Sequence, residues 1–322
     1  MRVGYALLLT CSVLASTASA HGPTLHAARI TRAFRHDAAA KMWMSDNGGY
    51  IWQLDSKGGV VGALTDCHGP EGIKVDHARN LWAVCNGATT IQEYAPGATS
   101  ASLVLNDSPG FFPNDVATDP TGNVYAVNTD GFICHGSSCT SYPGNVVYWL
   151  SAHLHSGATP DGMVADPNMY QGFFLDTDAA GNVYVDMLNE SADRGETDEI
   201  ADPLGSNPTI TNLKINPSYP GGVYVSNGGT VLNVVDQLRR TISRYTLPSG
   251  PPLHHLGPLP ENYEKSCNPI GLGFSLNDSD VAVADVACRA LDRGIVVSNR
   301  FTALVSNSFL APVTAAFTVS DK

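Results

Sequence analysis

Short segments of alternating apolar and polar residues recur along the chain, separated by turns rich in Asp, Gly and Asn. One module reads Pro-x-Gly, an alternating apolar segment ending in Asp, a Gly-Asn turn and a Val-Tyr-Val segment. Clear copies cover residues 70–86, 113–128 and 171–187, and weaker copies cover 211–227 and 269–286. Alternation with a period of two predicts strands, and two such segments around a tight turn predict a hairpin. Each module is therefore expected to form one β-hairpin.

The hairpins can be counted by their second strands, which are six in number. They are predicted to start at Met42, Leu81, Val124, Val183, Val223 and Val281. Only five first strands precede them, near Pro70, Pro113, Gln171, Thr211 and Pro269. Residues 311–319 have the first-strand pattern without a second strand after them, and residues 42–47 resemble a second strand without a first. Spacings of about 40 residues match one four-stranded blade.

These counts predict an all-β fold, a six-bladed β-propeller. The segment 311–319 is expected to supply the inner strand of the first blade and to close the ring, since an open sheet edge has to be covered. Residues 42–322 form the propeller in this interpretation, and residues 21–41 form an N-terminal lead-in.

Residues 1–20 have the pattern of a secretory signal peptide. Arg2 is their only charged side chain, an apolar run covers residues 3–14, and an Ala-Ser-Ala sequence ends at Ala20. The run is too short to span a bilayer. The sequence therefore predicts a secreted or periplasmic protein.

The composition narrows the classes of partner. The formal net charge is −12, and charged residues make up only 15% of the chain, which has 31 Gly and 20 Pro. Such an acidic protein is not expected to bind nucleic acid or to insert into a membrane. A small-molecule ligand and a monomeric state are expected instead.

Six cysteines remain after the predicted signal peptide, and an even number in an exported chain predicts disulfides. In an antiparallel hairpin the start of one strand lies beside the end of the next. This predicts bridges Cys67–Cys85 and Cys267–Cys288, and leaves Cys134 to pair with Cys139. A zinc site formed by the last two with His135 is the alternative.

The modules resemble NHL-type repeats. More specifically, they are similar to the superfamily of senescence marker protein 30 (SMP-30), gluconolactonase and luciferin-regenerating enzyme (LRE), which are six-bladed propellers. The stretches that carry this resemblance are FFPNDVATDPTGNVYAVNT at 111–129, PIGLGFSLNDSDVAVAD at 269–285 and PDGM at 160–163.

The resemblance implies a divalent cation such as Ca²⁺ in the central channel, where it would polarise a lactone or phosphoester. On the positions that match, Glu71, Asn114 and Asp161 would be the metal ligands. A further metal-binding Asn of that family corresponds to Ile270, which cannot bind a cation.

Aligned first strands place one residue of each at the same height near the channel mouth. These residues are Glu71, Asn114, Gln171, Thr211, Ile270 and Val313. The first four are polar and predict a binding site for a small organic or carbohydrate-like ligand. The recurrent Asp76, Asp119 and Asp176 are expected to accept backbone hydrogen bonds in the hairpin turns.

Two functions stay open at this level. The first is a ligand-binding propeller, and the second is a metal-dependent lactonase or esterase of the SMP-30/gluconolactonase type. Candidate catalytic residues are Glu71, Asp115 and His68, because a histidine beside a carboxylate can act as a general base. His153 and His155 offer another possibility, because some streptogramin-type lyases use channel histidines.

Overall fold

A computed structural model divides the chain into two compact units, Met1–Phe34 and Arg35–Lys322. It describes residues 42–55, 58–107, 112–129, 131–135, 138–142, 144–166, 169–189, 194–248, 253, 255–256, 269–274, 280–285, 290–295, 300–305 and 312–317. The predicted signal peptide and lead-in lie outside the described residues. Within these residues, no helix has the length and apolar character needed to cross a membrane.

The described residues form strands joined by short connections, with three single-turn 3₁₀ helices at Asn86–Ala88, Ser151–His153 and Asn227–Gly229. The strands are β1 (Met42–Asp46), β2 (Tyr50–Leu54), β3 (Val60–Leu64), β4 (Pro70–Val75), β5 (Leu81–Cys85), β6 (Thr90–Tyr94), β7 (Leu103–Asn106), β8 (Phe112–Thr118), β9 (Val124–Thr129), β10 (Gly131–His135), β11 (Ser138–Tyr142), β12 (Asn145–Trp149), β13 (Gly162–Ala165), β14 (Met169–Thr177), β15 (Val183–Asn189), β16 (Arg194–Ala201), β17 (Thr209–Ile215), β18 (Pro220–Ser226), β19 (Val231–Asp236), β20 (Thr241–Thr246), β21 (Pro269–Phe274), β22 (Asp280–Asp285), β23 (Ala290–Ile295), β24 (Arg300–Val305) and β25 (Pro312–Phe317). The all-β prediction is confirmed.

Five sheets in the described part of the chain have four strands each, in the orders β25-β1-β2-β3, β4-β5-β6-β7, β8-β9-β12-β13, β14-β15-β16-β17 and β21-β22-β23-β24. A sixth sheet, β18-β19-β20, has three strands, and β10 and β11 form a separate hairpin. The described residues therefore contain five four-stranded blades, and not the six blades that the sequence predicted. Among the described residues, a single bridge between Ile242 and Leu256 extends the outer edge of the three-stranded sheet.

One strand of each sheet contacts the corresponding strand of the next sheet. We call these the inner strands, and they are β4, β8, β14, β18, β21 and β25. Strand β25 contacts both β21 and β4, and it pairs antiparallel with β1, where Met42 lies opposite Phe317 and Asp46 opposite Pro312. Residues 312–317 thus pair with residues 42–46, as the sequence predicted for this part of the segment 311–319.

The fourth copy of the module, at residues 211–227, differs from its prediction by one strand. Thr211 lies on β17, the outer strand of the β14 sheet, opposite Glu199, and Val223 lies on the inner strand β18. The true first strand begins Pro-Gly-Gly at Pro220. A Cβ at Gly222 would lie 2.9 Å from the Leu272 nitrogen. Glycine is therefore required where β18 approaches the next inner strand, and this Gly marks the start of the module.

The hairpin turns show why Asp recurs in the module. Asp76 accepts hydrogen bonds from the Asn80 backbone nitrogen and from Trp82 Nε1, at 2.8 and 2.9 Å. Asp119 has the same role, as predicted. In the third copy, however, this residue is Asp178 and not Asp176. Two residues separate the expected and the observed turn carboxylate, because β14 contains irregularities that lengthen the strand.

Apolar side chains of adjacent sheets pack against each other and form the core. Trp82 and Val84 of β5 pack with Val116 of β8 and Trp149 of β12. All four are almost completely buried. Burial of a side chain of this size contributes about 1.5–3 kcal/mol. The core therefore lies between the sheets and fixes the spacing of the inner strands.

The disulfide predictions have different outcomes. Cys67 and Cys85 form a disulfide, as the position of Cys67 before β4 and of Cys85 at the end of β5 predicted. Cys134 lies opposite Cys139 in the β10–β11 hairpin, and their bridge remains a prediction. Cys267 and Cys288 lie outside the described residues.

Candidate functional site

The N-terminal ends of the inner strands bring together three of the predicted ligand-binding residues. Glu71, Asn114 and Gln171 lie near the starts of β4, β8 and β14, which contact each other in this order. Asn114 Nδ2 donates to the Gly172 carbonyl at 3.3 Å. All three residues are half-buried. The fourth predicted member, Thr211, is exposed on the outer strand β17 and does not belong to this group.

Glu71 is held from two sides. Asn47, in the turn after β1, donates its amide to Glu71 Oε1 at 2.6 Å, and Thr314 of β25 donates its hydroxyl to the Glu71 carbonyl at 3.1 Å. Burial raises the pKa of the Glu71 carboxyl to about 8. This pKa makes the protonated form of Glu71, which is able to donate a hydrogen bond, available near neutral pH.

Asp115 follows Asn114 on β8 and is only 3% exposed. Its Oδ2 accepts the Leu175 backbone nitrogen at 3.1 Å, whereas its Oδ1 has no hydrogen-bond partner among the described residues. Burial raises the pKa of Asp115 to about 7, and the positive charge of Lys74 opposes the rise. The carboxyl thus exchanges a proton near neutral pH, as a general acid or base does.

Lys74 and Asp176 form an ion pair between inner strands of different sheets. Lys74 Nζ of β4 lies 3.3 Å from Asp176 Oδ2 of β14, although β8 separates these two strands in the order of contacts. The same ammonium lies 4.6 Å from the centre of the Tyr224 ring of β18, and that ring packs 5.2 Å from Phe274. A layer of charged and aromatic side chains therefore lies further along the inner strands than Glu71.

This layer was not predicted from the sequence, although a signal was present. Lys74 stands two residues before the turn carboxylate Asp76, and Asp176 stands two residues before Asp178. An alignment on the turn carboxylates places both at the same position of the module. Taking Asp176 for the turn residue hid this correspondence.

Asp161 lies at the other end of its sheet, so the structure does not bring it together with Glu71 and Asn114. Asn114 lies at the end of the sheet where Asn128 is opposite both Pro113 and Asn145. Asp161 donates its backbone nitrogen to the Tyr148 carbonyl near the opposite end. Its carboxylate accepts the Leu150 nitrogen at 2.7 Å and contacts His153 at 2.6 Å.

The residues present do not fit the cation that the sequence resemblance implies. Of the predicted ligands only Glu71 and Asn114 are adjacent, and the next inner strands around present the apolar Ile270 and Val313. The described residues contain no group of three or more His, Cys, Asp or Glu side chains suited to a metal ion. The third catalytic candidate, His68, is exposed before β4, and its carbonyl accepts the Gly87 nitrogen at 2.9 Å.

The raised pKa values of Glu71 and Asp115 predict a stability that falls as the pH rises. Above about pH 4 both groups ionise in the unfolded chain. In the folded chain Asp115 keeps its proton up to about pH 7 and Glu71 up to about pH 8. The folded state then binds more protons, so the free energy of unfolding decreases over this range. For Asp115 the loss is on the order of 4 kcal/mol at most.

Urea unfolding of the wild type at pH 5 and pH 8.5 measures this loss. Asp115→Asn is expected to reduce the difference between the free energies of unfolding measured at the two pH values. Asp161→Asn is the control, because backbone hydrogen bonding lowers the pKa of Asp161. An Asp115→Asn variant with the full wild-type difference would contradict the prediction.

Comparison with known proteins supports the fold. No protein-family model matches the chain, and no curated protein matches it. Among solved structures, that of a nidogen/laminin complex has a TM-score of 0.63 at 12% identity and covers 88% of this chain and 100% of that chain. A streptogramin B lyase structure has a TM-score of 0.57 at 14% identity, covering 87% of each chain.

A third similar structure is that of a protein from Lactobacillus plantarum. Its TM-score is 0.54 at 13% identity, and it covers 86% of this chain and 99% of that chain. At such low identities the similarity concerns the fold alone. The inner strand of each sheet contacts that of the next sheet. This arrangement and the similarity to the solved structures together show that the chain has a β-propeller fold.

Proposed function

We propose that the chain is an exported β-propeller that binds a small, hydroxyl-bearing organic ligand, such as a carbohydrate-like molecule, at the N-terminal ends of its inner strands. The observation that carries the proposal is the meeting of Glu71, Asn114 and Gln171, three half-buried polar side chains, at the same end of adjacent inner strands. Polar side chains that converge at one end of a fold are typical of a binding site for a small molecule.

A hydroxyl group suits this site better than an ion. It can accept a hydrogen bond from the protonated Glu71 carboxyl and donate one to the amide oxygens of Asn114 and Gln171. Glu71, Asn114 and Gln171 add a carboxyl and two amides at the same end. These groups hydrogen-bond neutral polar molecules without requiring a charge on the ligand.

The exported location and the six-bladed closed ring are parts of the same proposal. The signal-peptide pattern and the Cys67–Cys85 disulfide support export. Contacts of β25 with both β21 and β4, and its pairing with β1, support a ring of six blades in which the three-stranded sheet is one blade.

A thermal-shift screen of monosaccharides, polyols, sugar acids and lactones tests the binding function. A ligand is expected to raise the melting temperature by several degrees at saturation. Glu71→Gln should weaken its binding about tenfold or more, a loss of about 1.4 kcal/mol. Thr211→Val, on the outer strand, is the matched control and should bind normally. Equal losses in both variants would contradict the proposed site.

The alternative, a divalent-metal-dependent lactonase or esterase, has less support, because Asp161 and Ile270 do not supply the ligands it needs. It remains testable in the same samples. Lactone turnover that requires CaCl₂ and disappears in Glu71→Gln would favour the hydrolase over the binding protein.

A further inference from the structure

Two buried carboxyl groups meet at the contact between two neighbouring sheets, outside the inner-strand site. Asp166 follows β13, the outer strand of the β8 sheet, and Asp198 lies in the middle of β16 in the β14 sheet. Each is only 1% exposed. The two carboxyl groups lie within hydrogen-bonding distance of each other. Asp198 Oδ1 has no hydrogen-bond donor among the described residues.

Two carboxylate oxygens cannot face each other in a buried site without something positive between them. Both groups lose their hydration on burial, and their like charges repel strongly in such surroundings. Either one proton is shared between them or a cation binds to both. The surroundings of the pair decide between these two solutions.

More negative charge lies close by on the same strand. Glu196 is two residues before Asp198 on β16, so both side chains are on the same face of the sheet. Its carboxylate accepts the Asn189 amide at 2.8 Å and also the Asn212 amide. Asp166 and Glu196 both place negative charge beside Asp198, and Lys214 is the nearby positive charge.

We propose that Asp166 and Asp198 together bind one divalent cation, for which Ca²⁺ is the best candidate, at the contact between the β8 and β14 sheets. A single shared proton would leave the pair and Glu196 with a negative charge of two, which a divalent cation neutralises more completely. Ca²⁺ accepts irregular sets of six to eight oxygen ligands, whereas Mg²⁺ requires a near-ideal octahedron.

The affinity is expected to be modest. Three acidic side chains do not converge on one point among the described residues. Asp166 and Asp198 are then the direct carboxylate ligands, and backbone or water oxygens complete the shell. Sites of this kind in extracellular modules bind Ca²⁺ with a Kd of about 10⁻⁴–10⁻³ M. The cation would join two adjacent sheets near their outer strands, a role separate from ligand binding at the inner strands.

Thermal denaturation of the full chain tests the site, first with EDTA and then with increasing CaCl₂ or MgCl₂ at pH 7.5. We expect 10 mM CaCl₂ to raise the melting temperature by about 3–6 °C, with a smaller effect of MgCl₂. Asp198→Asn should abolish the Ca²⁺ response. Glu71→Gln, at the inner-strand site, should keep it. Calorimetric titration of the wild type with CaCl₂ should give one ion per chain, a result that does not depend on any variant folding.

Two results would overturn the proposal. One is a wild-type chain whose melting temperature does not respond to CaCl₂, while Asp198→Asn removes a loss of stability between pH 6 and 9, because the pair then holds only a proton. The other is a Ca²⁺ response that Glu71→Gln removes and Asp198→Asn retains, which would place the cation at the inner strands. Neither result depends on whether an organic ligand binds there.

Discussion

A chain lacking residues 312–322 is expected to lose its cooperative thermal transition and to associate with other copies. The deletion removes β25, which covers the edge of β1 and buries Val313, Ala315 and Ala316. An exposed edge strand pairs readily with another chain. Because the total stability of a domain is only about 5–15 kcal/mol, the loss of a whole buried strand is sufficient to unfold it.

Circular dichroism and size-exclusion chromatography measure both effects. A chain ending at residue 317 keeps β25 and is the matched control. Thr314→Val provides an intermediate case, because it keeps the strand but removes the hydroxyl that accepts the Ile73 nitrogen at 2.9 Å and donates to the Glu71 carbonyl. We expect this variant to lose about 1–3 kcal/mol. A truncated chain that melts like the wild type and stays monomeric would show that β25 does not close the fold.

Replacement of Gly72 by Ala is expected to have the second largest effect. A Cβ at this position would lie 2.5 Å from the Asp115 Cα and 2.7 Å from the Asn114 carbonyl oxygen, and it would clash with Asp115 Oδ1. The backbone of β8 has to move to admit it. Overpacking of this kind costs about 1–3 kcal/mol or more, so the melting temperature should fall by roughly 5–10 °C.

The same substitution should also impair ligand binding, because the displaced segment carries Asn114 and Asp115. Gly87→Ala is the matched control, since its Cβ would meet the His68 carbonyl oxygen only at 3.1 Å and the loss should be smaller. If Gly72→Ala kept the wild-type melting temperature, the close approach of β4 and β8 would be looser than the structure indicates.

The alternating pattern predicted most strands because each hairpin contains its own turn signal. The second strands at Leu81, Val124 and Val183 begin where expected. The prediction failed at Thr211 because an outer strand of one sheet has the same alternation as an inner strand. Only the contact of Gly222 with the next sheet distinguishes the two, and that contact is not local in sequence.

The site was predictable only in part for a similar reason. An alignment of the repeats identifies Glu71, Asn114 and Gln171, because they occupy the same position in the repeat. Lys74 and Asp176 meet across an intervening strand, and Asp166 meets Asp198 across two sheets. Such pairs depend on how the sheets pack, and a single repeat contains no information on this.

The pairing of β25 with β1 also bears on how the molecule acquires its structure during synthesis. The Ser45 hydroxyl contacts the Thr314 hydroxyl at 3.0 Å, across a separation of 269 positions in sequence. Contacts so distant are slow to form, because a long loop has to be closed first. Until the ribosome has released residues 312–317, β1 has no inner partner. Nascent chains should therefore be open to proteases and reliant on chaperones until these residues are free to pair.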